Sequence, residues 1–346
     1  MIKKLAKVVA AAAIVGALVA TAVTPASAVV PGIKSGLKIA IMPKAVNIGY
    51  FTAWNKGAQK ACKEIGAKCT YVGPTEATGP AQVQFINKII QQKYDVLVIS
   101  AADQNAIVPS LKKAKAAGIT VVTSDADVAE ASASSRVVSI LPAASSRIGT
   151  AQVDWIAEAV GKKGSIAVLS AAATAANQNA WIKAMGPYLT KKYPKMSWVG
   201  GTVGKSTFYG DDDATKSTAQ FAAILSQYPD VAGIISPTTV GVLAAAIEKK
   251  AKSAKVKVTG LGLPSQMAPY IEDGTVKKVG LWNPIDLGYV AVYAAARAES
   301  GTFTGKVGTS FKAGTTTYKV TTGGVAFLGD PFTFTKENIK TFKKIY

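Results

Sequence analysis

The sequence predicts an α/β protein built as two doubly wound parallel-sheet lobes joined by hinge segments. Short β-branched runs alternate with amphipathic stretches along most of the chain, the pattern of parallel strands covered by helices on both faces. About ten such runs occur, more than one ordinary sheet holds, so two sheets are needed. No low-complexity linker separates the halves, which predicts several shared hinge crossings and a cleft that closes on a ligand.

In the first half, the runs Leu37–Met42, Lys68–Val72, Asp95–Ser100, Ile119–Thr123 and Val137–Leu141 read as strands. Ser165–Ser170, Trp198–Val203, Val231–Ser236, Val256–Leu261 and Lys278–Trp282 follow in the second half. Helical periodicity fills the gaps at 50–65, 78–92, 104–117, 144–160, 177–192, 213–227, 239–252 and 284–299. The small, polar stretch around 138–147 and Trp282-Asn283-Pro284 read as lobe crossings. These assign 36–140 with 284–312 to one lobe, and 141–283 with 313–346 to the other. From Gly301 the Gly-, Thr- and aromatic-rich tail reads as irregular structure and short antiparallel strands.

The first residues read as an export leader. Lys3, Lys4 and Lys7 precede an apolar stretch from Val8 to Val23, and Pro25-Ala26-Ser27-Ala28 supplies the small residues of a cleavage site. Cleavage is expected after Ala28, giving an exported protein of the periplasm or cell envelope. No cysteine stands there to carry a lipid anchor. In an oxidising compartment Cys62 and Cys69, with Gly66 allowing a turn between them, predict a local disulfide over two buried thiols.

The chain has 346 residues, 40 Lys and Arg against 20 Asp and Glu, and no histidine. The missing histidine removes Ser-His-Asp and Cys-His catalysis, and two cysteines cannot ligate an iron–sulfur cluster. No P-loop, G-x-S-x-G or dinucleotide fingerprint is present. The chain therefore reads as no enzyme, with no cofactor and no metal. The lysines are scattered and no aromatic–basic motif accompanies them, so a solvated basic surface is expected rather than a nucleic-acid site. Asp211-Asp212-Asp213 lacks the alternating spacing of a calcium loop and reads as a cap on a helix starting near Ala214.

Ligands of open α/β sheets bind beyond the carboxyl ends of the strands. The polar residues there are Lys44, Asp103-Gln104, Asp125, Asn177-Gln178-Asn179, Thr238-Thr239 and Asn283, with Pro264 nearby and Tyr50 and Phe51 opening the first helix. Carboxylates and planar amides pair with vicinal hydroxyls, and an aromatic ring covers a sugar's C–H face. Asp125, Asn177 and Asn283 read equally well as caps of helices or turns, and Trp181, at helical spacing, as core.

Across these stretches the sequence resembles type I periplasmic sugar-binding proteins, the venus-flytrap receptors of ABC importers. The resemblance rests on IAIMPKAVNIGYF, VVTSDAD, ATAANQNAW, GDDDATKS, IISPTTVGVLAAA and YIEDGTVKKVGLWNP in family order from Leu37 to Pro284. It implies a monosaccharide ligand, an ABC permease at the membrane as partner, a monomer and no covalent chemistry. A sugar-responsive repressor of the same core would carry a helix-turn-helix where this chain has its leader.

The rhamnose-binding and autoinducer-2-binding branches are most similar. Lys44, Asp125, Gln178 and Pro237 match the autoinducer-2 receptors, while Asn177 replaces their Asp and Thr239 their Ala. NQNAW and SPTTVG resemble the rhamnose branch, in which an Asp would stand at Asn283. The expected ligand set is Lys44, Tyr50, Phe51, Gln104, Asp125, Asn177, Gln178, Pro237, Thr239 and Asn283, binding L-rhamnose or a related deoxy-sugar. The alternative is an autoinducer-2 receptor of an ABC importer.

Overall fold

A computed structural model describes residues 30–346; the expected leader, 1–28, lies outside them. Strands β1 (Lys38–Met42), β2 (Lys68–Tyr71), β3 (Val96–Ile99), β4 (Thr120–Ser124) and β5 (Val138–Leu141) alternate with helices α1 (Gly49–Glu64), α2 (Gly79–Gln91) and α3 (Val108–Ala116). After α4 (Ser145–Val160) come β6 (Gly164–Ser170), α5 (Ala176–Lys192), β7 (Met196–Trp198), β8 (Thr207–Tyr209), α6 (Ala214–Gln227), β9 (Gly233–Ser236), α7 (Thr239–Ala251) and β10 (Lys257–Gly260). The chain ends with α8 (Pro264–Glu272), β11 (Val279–Leu281), α9 (Pro284–Glu299), β12 (Ser310–Ala313), β13 (Thr316–Lys319), β14 (Val325–Phe327), β15 (Phe332–Phe334) and α10 (Ile339–Phe342).

Two parallel sheets result, as the alternation predicts. The first has the order β14-β5-β4-β3-β1-β2, and the second β10-β9-β6-β7 with β8 also pairing β6. Strand β3 is buried at every position because helices cover both faces. Helix α9 returns to the first lobe and packs along α1, β3 and β4. Glycines set that approach: a β-carbon on Gly57 would lie 1.7 Å from the Ile285 carbonyl oxygen, and one on Gly288 2.0 Å from that of Trp54.

Several expectations need correction. The assignment of everything after 312 to the second lobe fails at β14, which pairs in parallel with β5 and covers what would be an open sheet edge. The third crossing follows it, where Leu328 and Gly329 bond back to Leu141 and Pro142, before β15 pairs with β11. The expected strand 198–203 does not form: Trp198 ends β7, Gly200 and Gly201, both with positive φ, make a 3₁₀ turn at Val199–Gly201, and β8 begins only at Thr207. Helix α8 was hidden by Pro264 and Pro269, although proline is tolerated in a first turn.

Cys62 and Cys69 form the expected disulfide, with Cα atoms 6.2 Å apart, tying the end of α1 to edge strand β2. Closing so short a loop removes about 2 kcal/mol of unfolded-chain entropy. The Cys62→Ser, Cys69→Ser double variant is expected to lose about that much stability in urea melts. Wild type and variant should then unfold alike in reductant.

Candidate functional site

The cavity lies between the lobes, at the carboxyl ends of both sheets. The first lobe contributes Lys44 after β1, Tyr50 and Phe51 from the first turn of α1, and Asp125 after β4. The second contributes Asn177, Gln178 and Trp181 from α5, Asp212 ahead of α6, Pro237–Thr239 between β9 and α7, and Trp282 after β11. The space it offers to the centres of water molecules is about 40 Å³. One water needs about 10–15 Å³ by that measure, so the site admits one small polar molecule and no oligosaccharide.

Asp125 organises the polar side. Its backbone is left-handed at φ 69°, a conformation Asp tolerates, and this turns the carboxylate under the end of β4. Oδ1 accepts a hydrogen bond from the Tyr50 hydroxyl at 2.8 Å, and Oδ2 one from Ser100 Oγ at 2.9 Å. The indole N–H of Trp282 donates to Tyr50 Oη at 2.7 Å, so a residue of the last crossing orients the first lobe's tyrosine. Burial pushes the Asp125 carboxyl above its ordinary range, while the Lys44 charge and the two hydroxyl donors pull it back. Burial also lifts the Tyr50 phenol, with the Asp125 charge adding to it, so Tyr50 stays a neutral donor.

Lys44, itself buried, donates from Nζ to Asn177 Oδ1 at 3.2 Å and so links the lobes. Gln178 Oε1 accepts from the backbone N–H of Ala171 at 3.3 Å, which fixes the amide's orientation. Thr238 caps α7 through Val240 N–H and also donates from Oγ1 to Asp212. The apolar side is a chain of edge-to-face rings: Phe51 on Tyr50 with centroids 5.1 Å apart, Tyr50 on Trp282 at 6.1 Å, and Trp282 on Trp181 at 5.7 Å.

Eight of the ten expected residues line this cavity: Lys44, Tyr50, Phe51, Asp125, Asn177, Gln178, Pro237 and Thr239. Gln104 does not; its backbone spans the mouth of the cleft, bonding to Thr174 across the lobes and to Ala129. Asn283 does not either. It caps α9, with Oδ1 accepting from Ile285 N–H at 3.0 Å and Nδ2 donating to Asp286, and its neighbour Trp282 faces the cavity instead. Trp181 is buried as core residues are, yet also lines the cavity.

Asp212 was missed. Asp213 performs the expected capping of α6, accepting from Lys216 N–H, and that reading absorbed the whole acidic run. One cap needs one carboxylate, so the surplus in three consecutive aspartates was the available signal.

Residues 39–302 match the periplasmic binding protein domain. The chain belongs to that family. This periplasmic binding protein is similar to an ABC transporter solute-binding protein from Clostridium phytofermentas with bound L-rhamnose, at 36% identity and a TM-score of 0.84 over 90% of this chain and 100% of that one. LsrB from Clostridium saccharobutylicum in complex with AI-2 is 27% identical, with a TM-score of 0.81 over 88% of this chain and 99% of that one. The D-ribose/D-allose-binding protein of Pseudomonas aeruginosa is 24% identical over 280 residues, covering 78% of this chain and 85% of that one. The periplasmic binding protein is thus of the type I sugar-binding class, the solute-binding component of a sugar ABC transporter and not an enzyme. Among the described residues, no helix is long and apolar enough to cross a membrane.

Proposed function

We propose that the protein captures L-rhamnose or a closely related deoxy-hexose between its lobes and delivers it to a membrane permease. The mixed lining of the cavity carries this reading. A desolvated carboxylate and the Lys44–Asn177 pair share it with Phe51, Ile48, Leu281 and Trp282. A deoxy-hexose has that character, with vicinal hydroxyls on one part of the ring and a methyl beside C–H bonds on another.

In this reading Asp125 accepts from two neighbouring hydroxyls, and Lys44, Asn177 and Gln178 donate to ring or hydroxyl oxygens. The backbone of Pro237–Thr239 closes one side, and Phe51 covers the methyl. Asp212 is a second acceptor, held by Thr238. The receptor works as a monomer, exported by its leader with cleavage after Ala28 and without a lipid anchor. Autoinducer-2 is the second reading; the small cavity favours it.

The test is a thermal-shift titration of residues 29–346 with L-rhamnose, glucose, ribose and autoinducer-2. At about 1,000 times its dissociation constant the true ligand adds roughly 4 kcal/mol and raises the melting temperature by several degrees. A response to L-rhamnose without one to glucose or ribose supports the proposal. A response to autoinducer-2 alone replaces it with the second reading.

A further inference from the structure

Trp282, Tyr50 and Asp125 form a chain of hydrogen bonds whose direction is fixed by chemistry. An indole N–H only donates, and an ionised carboxylate only accepts. The bonds of 2.7 Å from Trp282 Nε1 to Tyr50 Oη and of 2.8 Å from Tyr50 Oη to Asp125 Oδ1 therefore run one way, toward Asp125. All three residues are buried, where each bond counts for more than it would in water.

Packing from both lobes holds Trp282 in place. On the second-lobe side a β-carbon on Gly280 would lie 2.0 Å from the Trp155 ring, so β11 is pressed against α4. On the first-lobe side Asn283 caps α9 through the Ile285 N–H. The indole itself sits edge-to-face against Trp181 and Tyr50. Its N–H is thus a preorganised donor.

Such a donor discriminates between the two states of Asp125. With Trp282 donating to its oxygen, the Tyr50 hydroxyl gives its hydrogen to the carboxylate and is poorly placed to accept one from a protonated carboxyl. Accepting the indole bond also makes the hydroxyl a stronger donor. Ser100 Oγ donates to the other carboxylate oxygen at 2.9 Å, and Gln82 Nε2 pins the Ser100 carbonyl at 2.8 Å. Each oxygen of Asp125 then keeps an acceptor direction, as two neighbouring sugar hydroxyls need.

Other groups act on Asp125 as well. Burial raises its pKa most, Lys44 after β1 opposes this, the Tyr50 and Ser100 hydroxyls assist Lys44, and Asp212 of the second lobe raises it. Asp127, two residues on, is paired with Arg136. Among the described residues the Trp282 N–H is bonded to Tyr50 and to none of these charges, so its removal acts through Tyr50.

We propose that Trp282 is a positioning residue: its N–H, acting through the Tyr50 hydroxyl, keeps Asp125 an ionised acceptor for two sugar hydroxyls. The proposal rests on the reading of Asp125 as the sugar's acceptor. It adds that a residue of the lobe crossing controls the charge of that acceptor.

The experiment titrates the Asp125 carboxyl of the purified protein with acid by carboxyl-carbon NMR, its signal assigned by its loss in Asp125→Asn. Affinities for L-rhamnose and for autoinducer-2 are measured over the same pH range. Trp282→Phe removes the N–H; 3-benzothienylalanine in place of Trp282 removes it and keeps the bicyclic shape, which covers the case in which phenylalanine disturbs the fold. In both, the carboxyl midpoint should rise by about half a pH unit or more, and the pH at which affinity falls should rise with it. Tyr50→Phe should raise the midpoint at least as far, and adding Trp282→Phe to Tyr50→Phe should raise it no further. An unshifted midpoint in the benzothienylalanine protein, or additive shifts in the double variant, overturns the proposal. So does an affinity loss equal at every pH, which makes Trp282 a wall of the cavity alone. A midpoint that shifts while neither affinity follows it overturns the reading of Asp125 as the sugar's acceptor, and the role of Trp282 in binding with it.

Discussion

Asp125→Ala is expected to weaken sugar binding by at least about 2 kcal/mol, roughly thirtyfold, because buried hydroxyls lose a charged acceptor. The loss reaches beyond the ligand, since Tyr50 and Ser100 also donate to that carboxylate and would be left without it. Alanine is strained at φ 69°, so Asp125→Asn is the companion variant; Asn tolerates the left-handed backbone, removes the charge and turns one of the two acceptor oxygens into a donor. Isothermal titration of both, beside their melting temperatures, separates a binding defect from a folding defect. Wild-type affinity in either variant removes Asp125 from the site.

Acidification provides an independent check on the same group. Burial raises the folded pKa of Asp125, so the carboxylate takes up a proton at a pH above the ordinary carboxylate range. The sugar needs the ionised acceptor, and affinity should fall as pH drops through that raised pKa. Stability moves the other way. The folded state holds this proton more tightly than the unfolded chain, so the group's contribution diminishes as pH rises from the ordinary value through the raised one.

Gly57→Ala is expected to destabilise the protein by about 3 kcal/mol or more. On an isolated helix the same change would stabilise by up to about 1 kcal/mol, so the sign alone tests the packing argument. The new β-carbon would stand 1.7 Å from the Ile285 carbonyl oxygen, a backbone atom that cannot swing aside, and α1 and α9 would have to separate. Both helices matter to the site: α1 carries Tyr50 and Phe51, and α9 begins directly after Trp282 and Asn283. Sugar affinity should therefore weaken together with the urea midpoint. Gly288→Ala, with its contact at 2.0 Å on Trp54, should behave the same way. A variant more stable than wild type would overturn the close packing of α1 on α9.

Most of the strand and helix pattern was readable because it depends on local periodicity. Buried parallel strands such as Val96–Ile99 are continuous apolar runs, and α1 repeats its apolar face every three or four residues. The elements that escaped are those whose local signals point elsewhere. Two prolines concealed α8, and paired glycines put a turn where a strand was expected between β7 and β8. In the site, Lys44, Asp125 and Gln178 were legible because the carboxyl end of a parallel strand is a defined place in the chain. Asp212 and Trp282 were not, because each adjoins a residue that caps a helix. Capping chemistry looks the same in sequence whether the neighbouring residue faces solvent or a cavity.

By itself the sequence determined the two-lobed α/β class, the cleft at the strand ends, the Cys62–Cys69 link and the family. The first three follow from period, spacing and order along the chain, and the family from the motifs by which the chain resembles it. Tertiary structure alone decided that β14 closes the edge of the first sheet beside β5, that Trp282 rather than Asn283 lines the cavity, and that Asp212 faces Thr238 inside it. The physical reason is common to the three. Each depends on a contact between residues distant in sequence or on the direction of a single side chain, and neither leaves a periodic trace in the chain.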